Sequence, residues 1–394
     1  MLDGPRELCQ DGSATLEWLD RGERIAAGAV SGARADLGAV RRRFDVVFSV
    51  GIVAVPVPEN GCVLVIGNAH TIVLNGSNKG QGYRGPLEHS KGVTYRELLH
   101  AYRPANQDDV ANVLFEFVAP RSTQEVARLF ETISALQGLR PTFVCVTCRA
   151  DSRDENVELV GRIRRETGLE VMAHLVCNGA TRDQIDDILN RLDQYEVVNV
   201  LALRGDIDDP ALYRESVHDG LAHGSDLIRF IARRSHFCIG GACYPEAHID
   251  SKSRVDDIAY MKRKVEAGAS FLITQLFFDN QLYVRHVNEA RAAGITVPIL
   301  PGILPITNVH QLAAARVMGA SVPQPLECEV MARADDPQAI APFGVAWATL
   351  QCTNLLAGGA PGIHFYTLNR PTRAVLGALK AARPWEWRTK IQVA

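Results

Sequence analysis

Val197-Val-Asn-Val-Leu-Ala-Leu-Arg-Gly-Asp206 is a nearly unbroken apolar run that ends in a cation, a glycine and a carboxylate. A strand apolar on successive residues is buried on both faces, as strands of parallel sheets are. Its charged groups then belong at the carboxyl end, where loops gather over a crevice. Working outward, Val113 to Val118, Thr142 to Val146, Glu170 to Leu175, Cys238 to Cys243, Phe271 to Leu276, Val297 to Leu300 and Ile363 to Tyr366 read as strands of the same kind. Helical patterns separate them. Ser122-Thr-Gln-Glu125 is a capping box that opens a face of Val126, Leu129, Phe130 and Ile133 and is stopped at Gly138. Thr181-Arg-Asp-Gln184 does the same for Ile185, Ile188 and Leu192. About eight strands, each paired with a helix, predict a (β/α)8 barrel over residues 111–394. A doubly wound open sheet is the alternative, because periodicity counts strands without showing that the sheet closes.

The charges, 42 basic against 45 acidic, nearly cancel, so no global field draws the chain to nucleic acid or anionic lipid. Small-molecule chemistry is the better expectation. Val46 to Val57 is too short to span a bilayer and Met1 leads no export signal, so a cytoplasmic protein without a membrane segment is expected. Nine cysteines scattered over a long chain suit reduced thiols, and Cys145-Val-Thr-Cys148 lacks a second pair, which favours two packed thiols over a metal or redox centre.

Residues 1–110 differ in texture. Val46 to Val57 and Val63 to Leu74 are β-rich runs around Pro58-Glu-Asn-Gly61, which reads as a hairpin. Gly80-Gln-Gly82-Tyr-Arg-Gly85 matches G-x-G-x-x-G, but Pro86 follows where a dinucleotide fold needs a helix to open, so the match carries little. The segment is an N-terminal extension without an assigned function.

Within the barrel, alternation in Leu114-Phe-Glu-Phe-Val118 turns Glu116 to the side opposite Phe115 and Phe117. An inward carboxyl must be paired, protonated or used, and burial is expected to raise its pKa toward the range of a general acid. Gly205 permits close approach of a flat ligand, and Asp206 can stabilise positive charge. Gln275, at the end of an apolar run, offers the donors and acceptor that a heterocycle edge needs, or is a core amide satisfied by backbone. Tyr244, His248, His174 and Arg370 are weaker candidates, with a loop or core role as the default.

Taken together, Phe115-Glu-Phe-Val-Ala-Pro-Arg121, Val146-Thr147, His174-Leu175, Ala202-Leu-Arg-Gly-Asp206, Ala242-Cys-Tyr-Pro-Glu-Ala-His248, Lys262-Arg-Lys264, Ile273-Thr-Gln-Leu-Phe-Phe-Asp279, Pro301-Gly-Ile-Leu-Pro305 and His364-Phe-Tyr-Thr-Leu-Asn-Arg370 resemble the methylenetetrahydrofolate reductase family, in its order, from residue 111 to about 380. The resemblance implies a barrel that binds FAD, is reduced by NADH or NADPH, and passes hydride to 5,10-methylenetetrahydrofolate in a ping-pong reaction. By position, Glu116 is similar to the family's general acid and Asp206 to the carboxylate near the flavin and pterin. Gln275, Gln311 and Arg370 would meet the folate. Thr147, His174, Arg204, Gly205, Asp206, Ala242, Tyr244, His248, Asp257, Arg263 and Lys264 would hold FAD, the adjacent basic pair suiting a diphosphate, with Gly224 and Ser225 at the adenosine end. A homo-oligomer with folate and nicotinamide as partners is expected.

The chain departs from the family pattern at Phe117-Val-Ala-Pro120, at Cys148 where an aromatic is usual, and across Leu312 to Val322, which has no aromatic. These departures keep two other readings open. One is a flavin-independent methylenetetrahydrofolate reductase; the other is a non-catalytic folate-binding or assembly protein.

Overall fold

A computed structural model describes residues 52–57, 61–66, 70–75, 112–137, 141–207 and 210–368. The chain divides into two compact units. One contains Cys328–Phe343 and three antiparallel strands, β1 (Ile52–Val57), β2 (Gly61–Ile66) and β3 (His70–Asn75), in the order β1-β2-β3. Val57 pairs with Gly61, the pairing expected of the hairpin, and the second apolar run is split into β2 and β3. The G-x-G-x-x-G segment lies outside the described residues.

The other unit is a closed barrel. Its strands are β4 (Asn112–Phe117), β5 (Phe143–Val146), β6 (Val171–Val176), β7 (Asn199–Leu203), β8 (Cys238–Cys243), β9 (Phe271–Leu276), β10 (Ile299–Ile303) and β11 (Gly362–Tyr366), neighbours in chain order. β11 returns to β4 in parallel, with Gly362 opposite Asn112 and Tyr366 opposite Glu116, so no edge is left and the open-sheet alternative falls. Because every pairing is parallel, all eight carboxyl ends share one mouth.

Capping signals mark several of the intervening helices. α1 (Thr123–Gln137) follows β4; Ser122 Oγ accepts from Glu125 N at 3.2 Å, while Glu125 reaches back one residue further than expected, to Arg121 N at 2.6 Å. α2 (Arg153–Thr167) stops at Gly168, whose φ of 67° is the left-handed cap that glycine adopts at little cost. α3 (Arg182–Gln194) carries the full capping box between Thr181 and Gln184. Two helices, α4 (Pro210–His218) and α5 (Gly224–Ile231), follow β7 where one was expected. α6 (Arg254–Glu266), α7 (Asn280–Ala292), α8 (His310–Val317), α9 (Gln324–Met331) and α10 (Pro337–Ala357) complete the order.

Alternation sorts the core into two layers. Phe115, Phe117, Val144 and Val146 face the helices and pack with Ile133, Ile163 and Ile188, while Leu114, Phe143, Cys145, Met172, Leu201, Phe271 and Leu300 fill the barrel. Each such large side chain contributes roughly 1.5–3 kcal/mol by leaving water. Phe271 fits because β8 offers glycine: a Cβ on Gly240 would stand 2.5 Å from its ring. Among the described residues no helix is long and apolar enough to cross a membrane.

Candidate active site at the barrel mouth

β4 carries Glu116 on the inner face, one step above Leu114. Its Oε2 lies 3.0 Å from His364 Nε2 and 3.5 Å from His174 Nε2. The carboxylate is 13% exposed and the imidazoles 0% and 4%, so an uncompensated charge here would be costly, and the two rings supply the compensation. Burial pushes the Glu116 carboxyl up, but the charge of His174 and the hydrogen bond from His364 outweigh it and leave the group below its ordinary value of 4.5. This corrects the expectation from burial alone: alternation points Glu116 inward without revealing which side chains wait there. Burial also lowers His174, more than the Glu116 charge raises it.

Tyr366 stands above His364 on β11, ring edge to face at 4.9 Å, and its hydroxyl donates to Thr274 O at 2.8 Å. To reach Thr274 on β9 the ring passes over β10 at Gly302, where a Cβ would come within 2.5 Å of Tyr366 Cε2 and 2.3 Å of Thr274 O. Thr274 Oγ1 accepts from Gly302 N at 2.8 Å, so three strands are pinned at one level. Gln275, next along β9, accepts from Leu276 N through Oε1 at 2.9 Å, which ties the amide oxygen into its own strand.

On the far side of the mouth the groups are looser. After β7, Arg204 pairs with Asp250 at 3.0 Å, Gly205 adopts φ 84°, and Asp206 is exposed with its backbone carbonyl held by Asn178 Nδ2. A Cβ on Gly205 would meet Val176 at 3.1 Å, so both its φ and its surroundings select glycine. Gly224 and Ser225 open α5 against this strand end, where a Cβ on Gly224 would lie 3.4 Å from Arg204 N. After β8, Tyr244 and His248 meet edge to face at 4.6 Å, and Asp257 Oδ1 accepts from His248 N and Ser251 Oγ, both at 3.1 Å. Lys264 Nζ donates to Ala242 O at 2.7 Å and lies 5.5 Å from the Tyr244 ring centroid; burial lowers its pKa. Thr147 Oγ1 accepts from Ala119 N at 3.0 Å and clasps the loop after β4.

The remaining expected residues are Arg263, Lys264, Gln311 and Arg370. Arg263 and Lys264 do not form a pair: adjacent helix positions point apart, so Lys264 turns to β8 while Arg263 is exposed beside Tyr260, 5.0 Å from its ring centroid. Gln311 is buried and its Oε1 accepts from Thr307 N at 2.6 Å and Asn308 N at 3.2 Å, so its carbonyl builds the turn before α8. Arg370 lies outside the described residues. The sequence reading also passed over His364, Tyr366 and Cys145 as site residues, although the alternation that turned Glu116 inward applies equally to His364-Phe-Tyr366 and to Phe143-Val-Cys145.

The family description Methylenetetrahydrofolate reductase matches residues 102–380. The chain belongs to the methylenetetrahydrofolate reductase family. Methylenetetrahydrofolate reductase (NADH) 1 of Arabidopsis thaliana is 34% identical over 301 residues, which are 71% of this chain and 51% of the relative. The 5,10-methylenetetrahydrofolate reductase of Escherichia coli (strain K12) is 36% identical over 262 residues, 66% of this chain and 86% of the relative. The chain thus spans about half the length of the plant methylenetetrahydrofolate reductase and most of the bacterial one. A Clostridium thermocellum protein, described as binding two copies of 5-methyl-5,6,7,8-tetrahydrofolic acid, superposes with a TM-score of 0.50 at 15% identity, covering 71% of this chain and 96% of that one; this is a likeness of fold.

Proposed function

We propose that this chain reduces 5,10-methylenetetrahydrofolate to 5-methyltetrahydrofolate, with NADH or NADPH as reductant and FAD as the relay, in ping-pong order. The observation that carries the reading is a buried carboxyl, Glu116, bonded to His364 at the mouth that also bears Asp206 and Gln275. Ring opening of a methylene-bridged folate needs a proton on the departing nitrogen and leaves a cationic iminium. One buried carboxyl that exchanges protons and a second, exposed carboxylate at the same mouth match those two needs.

The residues fit FAD. Gly205 and Gly224 bring bare backbone to the end of β7, where a Cβ would stand 3.1 Å from Val176 and 3.4 Å from Arg204 N, the unpartnered Oδ1 of buried Asn178 lies nearby, and Arg204, Lys264 and His248 gather positive or donor groups after β7 and β8. Arg204 and Lys264 would meet the diphosphate, with Ser225 toward the adenosine end and Tyr244 beside the ring system. When bound, FAD takes hydride from the nicotinamide and delivers it to the folate.

The chain's own groups supply the rest. A folate that excludes water from the carboxyl favours its protonated form, with the proton on Oε2 placed for transfer to the leaving nitrogen while His364 Nε2, 3.0 Å away, holds the group in position. Asp206 stabilises the cation that results. Gln275, its oxygen tied to Leu276 N, retains its amide NH2 for the heterocycle.

An absorption spectrum of the purified protein, followed by addition of NADH and then of methylenetetrahydrofolate, tests the proposal. A yellow protein bleached by NADH and recoloured by folate is the expected result. An active but colourless protein would overturn the flavin relay in favour of direct hydride transfer, and a protein that binds folate without turnover would overturn the activity.

A further inference from the structure

Cys145 faces the barrel interior directly across from Glu116 in the β4–β5 register, and no step above uses it. Its Sγ, a carboxylate oxygen of Glu116 and a ring nitrogen of His364 all lie within 4.8 Å of one another. Ligands of a tetrahedral Zn²⁺, bonded at about 2.0–2.3 Å, stand roughly 3.3–3.8 Å apart. The 3.0 Å Glu116–His364 contact is already near that spacing, and the thiol, which donates to Phe115 O at 3.6 Å, would exchange that weak bond for the metal.

A second observation points to the same place. His174 Nε2, on a side chain 4% exposed, has no hydrogen-bond partner and stands 3.5 Å from the same Glu116 oxygen. Among the described residues no lysine or arginine pairs with this carboxylate, so two imidazoles converge on it without a fixed cation. Carboxylate, imidazole and thiol together form a borderline-soft set that suits Zn²⁺ and not Mg²⁺ or Ca²⁺.

We propose that Glu116, His364 and Cys145 form a Zn²⁺ site, with His174 in reach as a fourth ligand, and that metal bound there blocks proton transfer by Glu116. The metal takes the thiolate, the carboxylate and unprotonated ring nitrogens, so binding releases protons to solvent and affinity rises with pH. The block rests on Glu116 being the proton donor; the binding does not.

Titration of the full chain, with any flavin it holds, by Co²⁺ as a spectroscopic stand-in separates the two. Four-coordinate Co²⁺ absorbs in the red, clear of a flavin, and Zn²⁺ should bleach that band. Cys145→Ser removes an inner ligand and should weaken Co²⁺ by more than the ~100-fold that an outer-shell change produces, while Cys148→Ser leaves the band as it is. Zn²⁺ should inhibit turnover, and the inhibition, scaled to each variant's own metal-free rate, should be relieved by Cys145→Ser. Turnover without a red band, or a band that survives Cys145→Ser, overturns the site. A band that follows these variants in a protein with no reductase activity upholds the site and sinks the functional reading instead.

Discussion

Glu116 sits inside the cylinder on β4, 13% exposed, with two imidazoles on a single oxygen; Asp206, three strands round the same mouth, stands in the open after β7 with its backbone carbonyl held by Asn178 Nδ2. Each belongs to a differently built region. Around Glu116 the contacts are strand to strand and buried: Tyr366 to Thr274, Thr274 to Gly302, and Thr367 Oγ1 donating to Glu116 O at 2.7 Å. Around Asp206 they run loop to loop across exposed charges, Arg204 to Asp250 and Asp250 N to His248 Nδ1 at 3.0 Å. A proton donor has to be held to a fraction of an ångström, whereas a field from a charge tolerates movement. In the proposed function the proton donor thus lies on the rigid side and the stabilising charge on the open one.

Replacing Glu116 by Gln keeps shape and removes the proton, and folate turnover should fall by ~10²–10⁴-fold, the usual worth of a general acid, while reduction of the protein by NADH persists. Unchanged folate turnover would remove the assigned role. Acid should act on the same region. Glu116 and His174 both titrate below their ordinary values of 4.5 and 6.5, so each binds its proton less tightly folded than unfolded. Stability from this pair is complete above about pH 6.5, the ordinary histidine value, and is lost as pH falls through the folded values. Urea midpoints against pH should show the loss in the native protein and a shallower one in His174→Gln. Equal slopes in the two would mean that the ring at Glu116 is not what acid attacks.

Gly302→Ala tests whether the interior side is as tight as its contacts imply. The new methyl meets a backbone oxygen and a tyrosine held at both ends, so the overpacking cost is at least about 1–3 kcal/mol, with folate turnover falling as Tyr366 and His364 shift. Denaturant melts read the first effect and steady-state rates the second; a neutral variant would show that β9, β10 and β11 have slack. Asp206→Asn should do less. A unit charge about 4 Å away in water is worth ~1 kcal/mol, close to fivefold in rate, and the loss should grow as salt is removed. A loss as large as that of Glu116→Gln would mean that the bound ligand buries Asp206.

The barrel was legible because its strands are apolar runs and its helices carry their own caps; Thr181 with Gln184 announces a helix start that the structure keeps. The inward turn of Glu116 followed from a period of two. What surrounds Glu116 did not, since His364 lies 248 residues away and meets it only because β11 closes on β4. Adjacency in sequence suggested a basic pair at Arg263 and Lys264, where the helix turns the two side chains apart. At Gln311 the residue type offers an amide that could serve a ligand, and the structure adds that its oxygen is bonded within its own turn. In each case the missing information was a direction in space that a linear pattern does not hold.

The smallest effect lies on the open side. Asp250 is 59% exposed and its pair with Arg204 is of the surface kind, worth ~0–1 kcal/mol, so Asp250→Asn should leave thermal stability nearly unchanged. The informative readout is FAD retention by equilibrium dialysis at low and physiological salt. If Asp250 competes with a diphosphate for the Arg204 guanidinium, its loss tightens retention, and does so most at low salt, where the competing pair is strongest. If Asp250 instead positions Arg204 for the ligand, retention weakens at both salt concentrations. The sign of one modest shift thus decides whether the loop side of the mouth is a latch that opens for its ligand or a cradle already set for it.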